Sequence, residues 1–400
     1  MTRVVWCCFR RAPTGRPYGA RLNSSRCKRR NAKVPSDTER PDAFCIGLLE
    51  PHGYPRRFMT GQSVDISQIV RGRKMKQIAV LGVGLAFAAI IAPASMPTHA
   101  QAYPTKPVKL VVPYPPGGSA DILGRAIGQK LADQLGQPVV VENRPGAGTA
   151  VGAEFVARST PDGYTLLLGT VSSHAMNPAL TTKLGYDPIK DFAPIAPVAT
   201  IPFVLVAHPS VPAQTVKAFV EYAKAKPGTI NYSSAGNGTS NHLAGELFNL
   251  MASISMTHVP YKGSAPALQD LVAGHVQAMF DLVPTALPRI QAGTVKAIAV
   301  TGGTRVPGLP NVPTLKEAGY PDYEVTAWFG IFAPAGTPTA IVGRLHEETT
   351  KALASSELRD KLGPLGMETM QGSPQSFSRL VASDLDKWRC VVKSAKIQAE

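Results

Sequence analysis

Lys109–Asp121 reads KLVVPYPPGGSAD: a short apolar strand, a rigid Pro-Pro, then two glycines before a helix-forming segment. A helix start leaves backbone N–H groups unpaired and carries partial positive charge, so strand, Gly-rich turn and helix start together aim donors at an anion. The same layout returns at Asn231–His242, NYSSAGNGTSNH. Two such cradles in one chain predict two lobes that grip one small anionic ligand.

Outward from the first cradle, short apolar runs alternate with helical patterns. The runs Leu110–Tyr114, Val139–Glu142, Tyr164–Leu168, Ile230–Ser233, Met256–Val259, Val276–Phe280 and Val295–Val300 are bounded by Gly or Pro, and amphipathic stretches separate them. This alternation predicts an α/β fold with parallel sheets covered on both faces. Long proline-punctuated segments, Pro194–Pro209 and Tyr323–Pro334, divide the body. The chain is therefore expected to cross between lobes twice, with 103–200 and 325–400 in lobe one and 201–324 in lobe two. Ligands of open α/β sheets sit outside the carboxyl ends of the strands, so both cradles should face one cleft.

The front of the chain differs from the rest. Residues 1–74 carry 16 Lys and Arg against 5 Asp and Glu, while the remainder carries 26 against 22. The basic pI belongs to the forepart, and the body lacks the excess that a nucleic-acid surface needs. Four of the five cysteines fall in 1–74 without a CxxC pair, and no HExxH occurs anywhere, so no metal site and no cofactor is expected. Met75-Lys76, the apolar run Ile78–Ala92 and the small-residue site Ala100-Gln101-Ala102 have the layout of a secretory signal peptide over 75–102. The run is short for a membrane span. Cleavage after Ala102 would leave Tyr103–Glu400 with Cys390 as its single cysteine, and 1–74 would be a disordered or over-extended forepart.

The chemical candidates are few. Arg144–Gly152, RPGAGTAVG, superficially suggests a dinucleotide loop, but its last glycine falls one position late for GxGxxG and no acidic partner follows. GxxxxGK[ST] and GxSxG are both absent. Ser172-Ser173-His174 offers a Ser–His pair, the basis of an alternative reading as an exported hydrolase using Ser173 and His174. No third orienting group is evident, so hydroxyls and a loop histidine bonding a ligand are favoured. Asp121 fits a helix-start capping role, and Asp281, ending a strand, is a candidate for ligand specificity or for a hinge bond. Trp328 is either a cleft wall or core, and Lys262 either a charge partner or a solvated turn residue.

Many motifs, in order, resemble one family: KLVVPYPPGGSAD, VVVENRPGAGTAVGAEFVA, PDGYTLLLG, NYSSAGNGTSNHLAGELF, HVPYKGSAPALQDLVAGHVQAMFD and YEVTAWFGIFAPAGTP. The chain is similar to the Bug family, the TctC-type receptors of tripartite tricarboxylate transporters, from Tyr103 to near the C-terminus. The resemblance implies a two-lobed class II periplasmic binding protein of the Venus flytrap kind, a monomer and not an enzyme. It implies capture of a small carboxylate for delivery to membrane permease subunits, or presentation to a sensor kinase, with no nucleic acid involved. Carried over by motif, lobe one would contribute Gly117, Gly118, Ser119, Ala120, Asp121, Thr170, Ser172, Ser173 and His174. Lobe two would contribute Ser234, Ala235, Gly236, Gly238, Thr239 and Asp281. A valine at Gly118 or Gly238 is then expected to fill the ligand's place.

Overall fold

The computed structural model describes residues 103–398. The forepart 1–74 and the stretch read as an export signal lie outside the described residues.

In chain order, β1 (Val108–Val112), α1 (Ser119–Leu135), β2 (Val139–Asn143), α2 (Ala150–Ala157) and β3 (Thr165–Thr170) open lobe one. A π-helical turn, Ser172–Met176, runs into the one-turn helix α3 (Asn177–Leu180). The long strand β4 (Phe192–Ala207) then leads through α4 (Val216–Ala225) into lobe two. There follow β5 (Asn231–Ser234), α5 (Ser240–Ala252), β6 (Thr257–Pro260) and α6 (Ser264–Ala273). Next come β7 (Ala278–Leu282), α7 (Val283–Gln291) and β8 (Lys296–Val300). The return strand β9 (Thr326–Pro334) precedes α8 (Thr339–Ala354), α9 (Ser356–Leu362), β10 (Glu368–Thr369) and α10 (Pro374–Ala395).

The strands form one path, β2-β1-β3-β9-β4-β7-β5-β6, with β8 and β10 also paired to β4. β1 pairs in parallel with β2 and β3, and β5 with β6 and β7, as the βαβ pattern requires. The expectation of wholly parallel sheets is corrected at the centre. β9 runs antiparallel to β3 and β4, and β4 antiparallel to β7 and β8. The cause is the two crossings: each returns the chain through the sheet without a covering helix, so strand direction reverses there. β4 serves both lobes, pairing with β9 up to Pro202, with β7 from Phe203 and with β8 from Val204.

At that changeover Thr301, fully buried, joins the two crossings. Its hydroxyl accepts from the Phe203 N–H at 2.9 Å and donates to the Val325 carbonyl at 2.6 Å. Its backbone N–H reaches the Phe203 carbonyl, and the Val325 N–H reaches the Thr301 carbonyl.

Burial of alternate and continuous apolar runs drives the packing, at roughly 25 cal/mol per Å² of apolar surface. Leu110, Leu166, Leu168 and Leu123 close the lobe-one core between sheet and α1, while Phe219, Phe248 and Phe280 fill lobe two. α10 returns to lobe one and buries Phe377 and Trp388. Trp328 is core rather than cleft wall: its Nε1 donates to Asp384 of α10 at 2.7 Å, and it is 3% exposed.

Candidate functional site

The strands that point at the cleft run past their apolar residues into hydroxyls and a carboxylate: Thr170 ends β3, Ser234 ends β5, and Asp281 lies next to last in β7. Glycine turns after β1, β5 and β6 each deliver a helix start beside them. Three helix N-termini (α1 at Ser119, α5 at Ser240, α6 at Ser264) converge on one small inner cavity between the lobes. Lobe one lines it with Tyr114, Gly118, Ser119, Ala120, Thr170 and Phe329. Lobe two lines it with Ser240, Asn241, Ser264, Ala265 and Leu282. It holds about 30 Å³, room for about two waters. No lysine or arginine side chain is among its lining residues.

The lobes are in contact around this cavity. The Ser172 hydroxyl accepts from Tyr114 Oη at 2.8 Å and from the Ser240 N–H of the opposite lobe at 3.0 Å. Burial pushes the Tyr114 phenol up, so it stays a donor at neutral pH. Ser119 Oγ lies 3.3 Å from Thr285 Oγ1 across the cleft. On the outer side a groove of about 720 Å³ runs between Gly146–Val151 and Ala235–Thr239, with Lys183 and Lys262 on its walls. Tyr114 and Pro115 line both spaces and so separate them.

The residues carried over from sequence divide into three sets. Gly118, Ser119, Ala120 and Thr170 line the inner cavity. Ala235, Gly236, Gly238 and Thr239 line the outer groove, and Gly117 a shallow pocket beside Thr285. The rest stand behind these surfaces. Asp121 accepts from the Gly117 N–H and from Arg125, each at 3.0 Å, and from Asn143 at 3.0 Å, so it builds the turn. Burial pushes its carboxyl up, but these bonds outweigh that and hold it below its ordinary value. Ser234 bonds His258 at 2.6 Å, and His258 stacks on His242 at 3.9 Å beneath the second glycine turn.

Ser173 and His174 are placed differently from the sequence expectation. The π-helical turn swings both inward, and both are fully buried. The Ser173 hydroxyl accepts from the Thr170 N–H at 2.9 Å and meets His174 Nδ1 at 2.8 Å. The imidazole stacks on Phe332 at 4.1 Å and touches Phe192, with Nε2 unpartnered. Burial lowers its pKa to about 3. A nucleophile and base sealed under the sheet have no path to a substrate.

Asp281 is fully buried as well. Oδ2 accepts from Thr285 Oγ1 at 2.6 Å, while Oδ1 makes no hydrogen bond of ordinary geometry. Burial raises its pKa to about 6 against the pull of Thr285, the Leu282 amide and Ser264. Sequence reasoning missed Tyr114, Ser240, Asn241, Ser264 and Thr285. Ser264 had a signal: HVPYKGSAP is a third strand, glycine turn and helix start, noticed only for Lys262.

The sequence profile described as "Tripartite tricarboxylate transporter family receptor" (TctC) matches residues 123–397. The chain belongs to the TctC family. This TctC receptor is 36% identical to Protein BugT of Bordetella pertussis, over 79% of this chain and 96% of BugT. Among solved structures, the Rhodopseudomonas palustris protein Rpa4515 with adipate is 40% identical, with TM-score 0.72 over 74% of this chain and 99% of that one. MatC from the same organism, with bound malate, is 37% identical, with TM-score 0.69 over 72% and 100%. The two-lobed periplasmic binding fold expected from sequence is therefore established, and the family is one of solute-binding receptors, not enzymes. The hydrolase alternative is set aside. Among the described residues no helix is long and apolar enough to cross a membrane, and no cluster of three metal-ligating side chains occurs.

Proposed function

We propose that this TctC receptor binds a small di- or tricarboxylate between the helix starts that line the inner cavity, which widens as the lobes part to admit it, and delivers it to the permease subunits of a tripartite transporter. The observation that carries this reading is the convergence of three helix N-termini on a hydroxyl-lined cavity whose walls hold no lysine or arginine side chain. Each helix start contributes about 0.3–1 kcal/mol toward an anion, more when shielded from water. Three of them with hydroxyl bonds reach toward the roughly −8 kcal/mol of a micromolar complex, tight enough to capture and loose enough to release. The adipate and malate held by Rpa4515 and MatC are ligands of this chemistry.

A ligand that binds only the folded state raises the melting temperature. A thermal-shift screen of carboxylates from four to six carbons is expected to give at least one concentration-dependent rise, with amines and neutral sugars giving none. A flat response to every carboxylate overturns the assignment. We further propose that 75–102 acts as an export signal. Mass spectrometry of the protein recovered from a periplasmic fraction is expected to find Tyr103 at the N-terminus; peptides from 1–74 there count against it.

A further inference from the structure

We propose that the chain Asp281–Thr285–Ser119 makes this receptor prefer, among carboxylates of one length, those that also carry a hydroxyl or ammonium group. The inference rests on the inner cavity being the ligand site, which Ser119 lines.

A hydroxyl has one hydrogen to give. Thr285 Oγ1 lies 2.6 Å from Asp281 Oδ2 and 2.9 Å from the Leu282 carbonyl, an ionised carboxylate and a carbonyl that only accept. Whichever of them receives it, the Thr285 hydrogen is committed inside lobe two. Ser119 Oγ, 3.3 Å away across the cleft, therefore faces lone pairs and is the donor of that contact. With its hydrogen turned toward Thr285, Ser119 offers the cavity lone pairs alone. A ligand carboxylate oxygen placed there meets lone pair with lone pair. A ligand hydroxyl or ammonium donates to Ser119 and completes the chain, while the ligand's carboxylates are left to the backbone N–H groups of the helix starts.

The preference has a ceiling. At 3.3 Å the Ser119–Thr285 bond is long for two hydroxyls. Ser119 can break it to serve a carboxylate at the cost of one neutral hydrogen bond, which corresponds to a factor of about five to ten in affinity. Thr285 also explains why Asp281 is kept in so dry a place: the carboxylate fixes the direction of a hydroxyl chain that ends in the cavity wall.

Isothermal titration of the protein with succinate, malate and aspartate, which share one four-carbon skeleton, tests this directly. A second set, adipate against 2-aminoadipate, covers a longer site. The substituted member of the set that binds is expected to be about five- to ten-fold tighter. In Thr285→Val the Ser119 hydrogen is released, and the ratio should shrink to within about two-fold, chiefly because the unsubstituted acid gains. Ser119→Ala should also erase the preference, and it serves if the valine variant does not fold. Equal or tighter binding of the unsubstituted acid by the wild type, or an unchanged ratio in both variants, overturns the proposal while leaving carboxylate binding intact. If no acid of either length binds the wild type, the cavity reading and this inference fall together.

Discussion

Replacing Gly148 by alanine is expected to weaken ligand binding by at least about 100-fold while leaving the protein folded. Gly148 has φ +59°, and a Cβ built on it would lie 2.3 Å from the Asn237 carbonyl of the opposite lobe. That contact exists only when the lobes meet. Within its own lobe the nearest atom to the added methyl group is Asn177 Nδ2, at 3.1 Å. The left-handed backbone adds about 1 kcal/mol of strain, tolerable for a domain stabilised by about 5–15 kcal/mol. Closure, by contrast, has no room to yield, because a backbone carbonyl cannot rotate aside. A ligand held by one lobe alone loses the α5 and α6 helix starts, and at 1.4 kcal/mol per tenfold a loss of about 3 kcal/mol gives the expected factor. Titration calorimetry with the ligand found by thermal shift, alongside urea unfolding, checks both halves of the statement. Wild-type affinity in Gly148→Ala would show that closure does not hold the ligand. Gly238 behaves similarly, its Cβ meeting Asn177 Oδ1 at 2.8 Å, so a side chain there strikes the opposite lobe. At Gly118 the nearest atom is 3.9 Å away, and a small side chain fits.

The second large effect is a pair of opposed pH slopes. His174 has its folded pKa lowered to about 3 by burial, against about 6.5 in the unfolded chain. Between those values the unfolded state binds more protons, so acid removes stability: from pH 7 to pH 4 about 3 kcal/mol, at 1.36 kcal/mol per unit. Asp281 has the opposite sign. Its folded pKa is raised to about 6, against about 3.9 unfolded, so the native state binds more protons and acid returns about 2–3 kcal/mol over the same window. In the wild type the two largely cancel. His174→Phe should therefore gain about 3 kcal/mol on the wild type on going from pH 7 to pH 4, and Asp281→Asn should lose about 2–3. His258, lowered to about 4 by burial, is present in every variant and drops out of the difference. Urea unfolding of the three proteins at both pH values measures this. Parallel profiles for all three would mean that neither group is buried as described.

Most of the fold was legible because its signals are local. The helices at 216–225, 339–354 and 356–362 follow the apolar periodicity, and Thr215 caps the first of them. The strand ends were less legible. β3, β5 and β7 each run past the apolar core into Thr170, Ser234 and Asp281, because the residues that face a ligand cleft are polar and dilute the strand signal. The antiparallel centre could not be read either, since strand direction depends on which distant segments meet. The π-helical turn was hidden for the same reason: SSHAM has no local signature, and only Phe192, Trp328 and Phe332, each far along the chain, make a pocket for that imidazole. In the site, motif position found the glycine turns but not the side of the cleft each would face.

Thr301 carries a consequence for how the two lobes can move. Beyond the β4–β9 ladder, Thr301 ties the two straps together where they enter lobe two, so they flex together rather than slide past one another. These bonds favour a swing of the lobes about the changeover at Thr301. Were the receptor to hand its ligand to a permease as proposed above, a partner that sampled this swing would need no contact with the cargo.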